Sequence, residues 1–196
     1  MKTDEINKVV DEMSLSENIE LADIPDIELY MEQVTGFIDD RLKNLKRDSS
    51  EKTLTKTMIN NYTKLGILMP PKNKKYSKDH MILMLLVYYL KQVLSLDDIK
   101  ALIAPILNDM STTEDDVIPL EDIYSIFLEL KSLEFEDFKQ DIEEKYNVIR
   151  AKTNEVSQEE ADIKEKAELF LTVIMLIAKA HANKRLAEKI IDKFFK

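Results

Sequence analysis

The chain has 196 residues, is 44% hydrophobic and carries a formal net charge of −10, enough apolar content for one large domain or two small ones, with two expected. The lack of cysteine excludes disulfides, thiolate metal sites and cysteine nucleophiles, and two glycines are too few for a dinucleotide-binding GxGxxG turn or a P-loop. The longest apolar runs, Met81–Leu90 and Leu169–Ala178, are about half a membrane span, and the first residues contain no apolar leader, so a cytoplasmic protein without membrane contact is expected.

Residues 1–22 offer one weak amphipathic set, Ile6, Val9, Val10 and Met13, and are predicted to form a loosely attached arm. A helix is predicted from Asp23, with Pro25 in its first turn and apolar residues at steps of three and four from Ile27 to Leu45, bent or divided at Gly36. Asp48–Thr53 is polar and reads as a connection. A short helix follows over Lys56–Leu65, capped by Thr55 and closed by Gly66. Met58, Tyr62 and Leu65 share one face, with Ile59 at its margin, and Thr57, Asn60, Asn61 and Lys64 share the other. Two asparagines in a helix are not there for helix propensity. Their amides can pair with an adenine edge in a DNA major groove, or else simply face solvent.

Charge is unevenly distributed around this helix. From Arg41 to Asp79 there are eleven basic residues (Arg41, Lys43, Lys46, Arg47, Lys52, Lys56, Lys64, Lys72, Lys74, Lys75, Lys78) and three acidic ones (Asp48, Glu51, Asp79). Residues 1–40 have a net charge of −10 and residues 80–196 of −8. The strip is a phosphate-binding surface, a solvated lysine face or a patch docked on the protein's own acids, and charge alone does not choose.

Met69-Pro70-Pro71-Lys72-Asn73-Lys74-Lys75-Tyr76 reads as a small basic wing, since proline stops both helix and central strand. Ser77 caps a largely buried third helix, and Ser95 with Asp98 opens a fourth, with Ile99, Leu102 and Ile103 inward as far as Pro105.

At this point the sequence resembles the DNA-binding domain of MerR-type regulators, a winged helix-turn-helix. The resemblance rests on Ile59, Tyr62, Gly66, Ile67, Leu68 and Pro70, then Lys74, Tyr76 and Ser77, then Ser95-Leu96-Asp97-Asp98-Ile99. Over about Ile24–Ile103 the chain more specifically resembles a bacterial family known as a domain of unknown function (number 1836), related to MerR, through MINNYTKLGIL and KKYSKDH. The two arginines of the MerR helix fall on Thr57 and Asn60, and its first tyrosine on Asn61. Phosphate and base contacts are therefore redistributed in this chain. The long dimerising helix that follows a MerR wing domain has no obvious counterpart, because Pro105 and the acidic Thr113–Asp116 interrupt the pattern.

From Pro119 the pattern is helical again, with a capping box at Ser157 and Glu160, and four or so bundled helices are predicted. The run LFLTVIMLIAKA reads as bundle core, with a seam between protomers as the alternative. The pairs Asp115/Asp116, Glu143/Glu144 and Glu159/Glu160 are adjacent on helices and do not converge, so they read as solvated faces rather than acid-base pairs. His80 and His181 have no metal-ligand spacing and read as ordinary helix residues.

The expected protein is all-α, with an arm at 1–22, a MerR-like winged helix-turn-helix at 23–110 and a helical domain for dimerisation or an effector at 111–196. It is expected to be a non-enzymatic transcriptional regulator that takes no cofactor. The resemblance and the charge strip together put Lys56, Lys64, Lys72, Lys74 and Lys75 on phosphates, Thr57, Asn60 and Asn61 on bases, and Tyr76 at the wing. Expected partners are double-stranded DNA and a second copy joined through the C-terminal helices, with a small-molecule effector an open option. The competing expectation is a protein-interaction adaptor that keeps the winged helix as scaffold.

Overall fold

The computed structural model describes residues 3–46, 48, 50, 53–109, 118–156 and 161–196, and they are mostly helical. Among them are seven α-helices: α1 (Thr3–Glu12), α2 (Met31–Arg41), α3 (Lys56–Leu65), α4 (Lys78–Leu90), α5 (Leu96–Asp109), α6 (Leu120–Val156) and α7 (Ala161–Phe194). One antiparallel ladder joins β1 (Leu29–Tyr30) to β2 (Lys75–Tyr76), with Leu29 opposite Tyr76 and Tyr30 opposite Lys75. The chain divides into two compact units, residues 18–129 with 187–196, and residues 1–17 with 130–186.

The first unit is built around α4, on which Met81–Leu85 and Val87 are fully buried. Val34 and Ile38 of α2, Ile59 of α3 and Ile99 of α5 pack into the same core. Tyr124 on α6 is buried, and its hydroxyl donates to the Ile19 carbonyl at 2.8 Å. Because Leu120, Tyr124 and Leu128 belong to this core, the unit runs to residue 129, past the boundary expected after 110.

The first predicted helix begins later than periodicity implied. Pro25 opens no α-helix; a 3-10 turn at Leu21–Asp23 and strand β1 precede α2, and a second 3-10 turn at Lys43–Leu45 follows it. Leu29 and Tyr30 are drawn into pairing with β2, a contact distant in sequence that no local pattern registers. The Tyr30 N–H then donates to Gln33 Oε1 at 2.9 Å at the start of α2, and Gly36 lies inside that helix without dividing it. Likewise α5 continues through Pro105, although proline removes one helical hydrogen bond. Partly buried Ile106 and Leu107 beyond it still pack on the core.

The second unit overturns three expectations. The presumed arm forms α1, whose Ile6 and Val10 are buried with Phe135, Ile142 and Tyr146 of α6. Lys139 pairs with Asp11 at 2.7 Å, which also ties α1 to α6. Instead of four or so C-terminal helices there are, among the described residues, two long ones, because neither segment contains the glycine or proline that would end a helix. The Ser157–Glu160 capping box lies outside the described residues.

The third correction concerns Leu169–Ala178, which is not core within the single chain. Phe170 is 65% exposed and Ile177 65%, while Glu168 and Thr172 are buried. Glu168 accepts from the Thr153 hydroxyl at 3.1 Å, and the Tyr146 hydroxyl donates to it at 3.4 Å. The inner face of α7 is partly polar and its outer face apolar, the reverse of a surface helix in a monomer.

Candidate functional site

Helix α3 takes the predicted bounds. Thr55 Oγ1 accepts from the Met58 N–H at 3.2 Å, and Gly66 closes the helix at φ +73°, a conformation that favours a residue without Cβ. Ile59 and Tyr62 are the buried residues, so Ile59 is the centre of the inner face rather than its margin. Thr57, Asn60, Asn61 and Lys64 are all exposed on the other side, as their spacing predicted. Neither asparagine side chain has a hydrogen-bond partner among the described residues.

The basic loop after α3 is a tight reverse turn. The Lys75 N–H donates to the Lys72 carbonyl at 2.9 Å, and the two residues between them, Asn73 and Lys74, have φ of 52° and 65°. Positive φ at both central positions is the requirement of a type I′ turn. Asparagine tolerates that region and lysine does so with strain, which makes Asn73 the turn signal that the run of lysines obscured. Lys72 and Lys74 are exposed at this turn. Lys75 is half-buried with its ammonium 5.5 Å from the centre of the Tyr30 ring.

The structure divides the basic strip. Arg41 pairs with Asp23 at 3.6 Å, Lys43 with Asp40 at 3.1 Å, Lys46 with Asp39 at 2.7 Å and Lys78 with Glu121 at 3.0 Å. Lys56, a predicted phosphate contact, is paired with Glu32 of α2. That hydrogen bond holds the Glu32 carboxyl below its ordinary range. Lys64, Lys72, Lys74 and Lys75 have no acidic partner among the described residues. Arg47 and Lys52 lie outside them. Arg41, Lys43, Lys46, Lys56 and Lys78 are thus neutralised by the chain's own acids, whereas Lys64 of α3 and the lysines of the turn keep their charge.

Tyr76 does not belong to this surface. It is 3% exposed, packed in the core with its ring edge-on to His80 at 5.5 Å, so its predicted place among the DNA contacts is corrected to an internal anchor of β2. Burial pushes its phenol above the usual value. His80 is also buried. Its Nδ1 accepts from the Ser77 N–H at 3.1 Å and lies 2.8 Å from Ser77 Oγ, closing the N-terminus of α4 directly behind the turn. Its Nε2 is buried without a hydrogen-bond partner, and burial lowers the imidazole pKa below 6.5.

Among the described residues no group of three His, Asp or Glu side chains is placed to hold a metal ion, and no helix is long and apolar enough to cross a membrane. His181 is exposed on α7. Of the adjacent carboxylates, Glu143 meets the Asn7 amide at 3.4 Å and Glu144 the Gln140 amide at 2.9 Å, so each has its own neighbour. Asp115/Asp116 and Glu159/Glu160 lie outside the described residues.

The profile of one protein family matches residues 19–127, nearly the span 18–129 that forms the larger part of the first unit. Its description is a domain of unknown function (DUF1836). No curated protein and no solved structure matches the chain.

Proposed function

Because the chain belongs to this family, whose description carries no activity, its role has to be read from its own residues, and we propose that it is a transcriptional regulator that binds double-stranded DNA through α3 and the Lys72–Lys75 turn. The observation that carries the reading is the division of the basic strip: among its described residues Lys64, Lys72, Lys74 and Lys75 have no acidic partner, whereas Arg41, Lys43, Lys46, Lys56 and Lys78 are paired with the chain's own acids. The resemblance of residues 24–103 to MerR-type regulators supports the same reading, in which α3 would be the recognition helix and the turn the wing.

In this reading the free lysines hold phosphates and set the protein on the duplex, which carries no sequence information. Thr57, Asn60 and Asn61 meet base edges, the asparagines offering a donor and an acceptor together to adenine. Lys56 reaches a phosphate only by exchanging Glu32 for it. Tyr76 and His80 support the turn from within.

Enrichment of genomic fragments on the purified chain supplies an operator for the test. Asn61→Ala then weakens that operator by about 1–3 kcal/mol at one base position and leaves random duplex alone, whereas Lys74→Ala weakens both alike. Equal loss on every sequence for Asn61→Ala removes the base-reading role. Absence of any retention of random duplex at low salt and micromolar protein removes DNA binding and favours the adaptor.

A further inference from the structure

Lys56, Asn60 and Lys64 stand four residues apart along one row of α3. By spacing, Lys56 belongs with Lys64, and its side chain is 56% exposed. What separates the two lysines is an acid. Glu32, in the first turn of α2, holds the Lys56 ammonium in an ion pair, and Lys64 has no acidic partner among the described residues. The Glu32 side chain is itself 68% exposed, so the pair is open to solvent and to any anion that approaches α3. Asp39 and Asp40 of α2 also hold cations of the basic strip, Lys46 and Lys43, but neither of those lysines is carried by α3.

We propose that Glu32 is a built-in competitor of the DNA backbone: by holding Lys56 it withdraws one phosphate contact from α3 and keeps the sequence-independent attraction of the chain for duplex weak. The inference rests on the reading of α3 as a DNA-binding helix. Two features suit Glu32 to the task. An exposed ion pair is held weakly, so it competes with phosphate without locking the lysine away. The carboxylate also accepts from its own backbone N–H at the start of α2, where a negative charge is favoured, and so does not depend on Lys56 alone. Lys56 can therefore leave, but the carboxylate it leaves behind faces an anionic duplex, and like charges oppose the approach. The acid lowers affinity in both arrangements. A purely structural tether between α2 and α3 acts the other way, because its loss loosens the recognition helix and weakens binding.

Salt titration of binding to random-sequence duplex, read by fluorescence anisotropy on the full chain, tests it. The wild type is expected at a slope of log K against log salt of about −3.6, from Lys64, Lys72, Lys74 and Lys75, and Glu32→Gln at about −4.5, because Lys56 joins them. Glu32→Ala, which leaves no side chain to hold the ammonium, gives the same steeper slope and a higher affinity at low salt. Adding Lys56→Ala to Glu32→Gln returns the slope to about −3.6. Equal slopes for the wild type and both Glu32 variants overturn the proposal and leave DNA binding standing. So does weaker binding by the Glu32 variants, the mark of a tether, or a steeper slope that survives Lys56→Ala, which assigns the effect to net charge. A wild type that is not retained on duplex at low salt removes the DNA reading itself and the proposal with it.

Discussion

Two apolar runs, Met81–Leu90 and Leu169–Ala178, look alike in the sequence and have opposite fates. On α4 the apolar side chains are buried, and the polar residue enclosed with them, His80, takes up the hydrogen bond that caps its own helix. On α7 much of the run is exposed, and buried Glu168 and Thr172 face the seam with α6. Hydrophobicity along a chain predicts that a run will be covered, not by what. The first is covered by its own unit, and much of the second stays exposed on this chain.

The largest expected difference comes from placing a charge in each run. Leu83→Glu buries an unpaired carboxylate in a core with no room for it and abolishes folding. Phe170→Glu leaves helicity intact, and circular dichroism of the two variants side by side checks the contrast. A smaller effect tests the polar seam. Glu168→Ala removes the acceptor shared by Tyr146 and Thr153 and costs about 1–3 kcal/mol in denaturant unfolding. If that substitution is stabilising instead, the seam is not organised by Glu168.

The smallest effect is the pH response of His80. Burial lowers its pKa in the fold below 6.5, with the backbone carbonyl of Pro70, then the Asp79 carboxylate, the Met69 carbonyl and the Glu28 carboxylate acting the other way. Well above pH 6.5 the imidazole is neutral in both states and costs nothing. As pH falls below that value, the unfolded chain takes up the proton first, so stability declines until the folded pKa is passed and then levels off. Unfolding of wild type and His80→Gln between pH 7.5 and about 5.5 separates this from other groups, with the decline reduced in the variant.

Much of the first unit was legible because its signals are local. Thr55 and Gly66 bound α3, Ser77 and Ser95 open α4 and α5, and the spacing of Thr57, Asn60, Asn61 and Lys64 put them on one exposed face. The errors lie where distant residues decide. Strand β1 exists because Leu29 and Tyr30 meet Lys75 and Tyr76, and α1 is held by side chains more than a hundred positions away, as in the Lys139–Asp11 ion pair. Tyr76 was misplaced because an aromatic residue after a basic loop looks the same from the sequence whether it faces DNA or the core. The division of the lysines was also invisible, since pairing depends on where Glu32, Asp39 and Glu121 are brought by the fold.

That division is the central claim, and the salt dependence of binding to random duplex tests it most directly, by fluorescence anisotropy. Four unneutralised lysines predict a slope of log K against log salt of about −3.6 per chain, reduced in magnitude by about 0.9 in Lys64→Ala and unchanged in Lys43→Ala, whose cation already pairs with Asp40. A salt-independent affinity, or equal changes in slope for Lys43→Ala and Lys64→Ala, contradicts it.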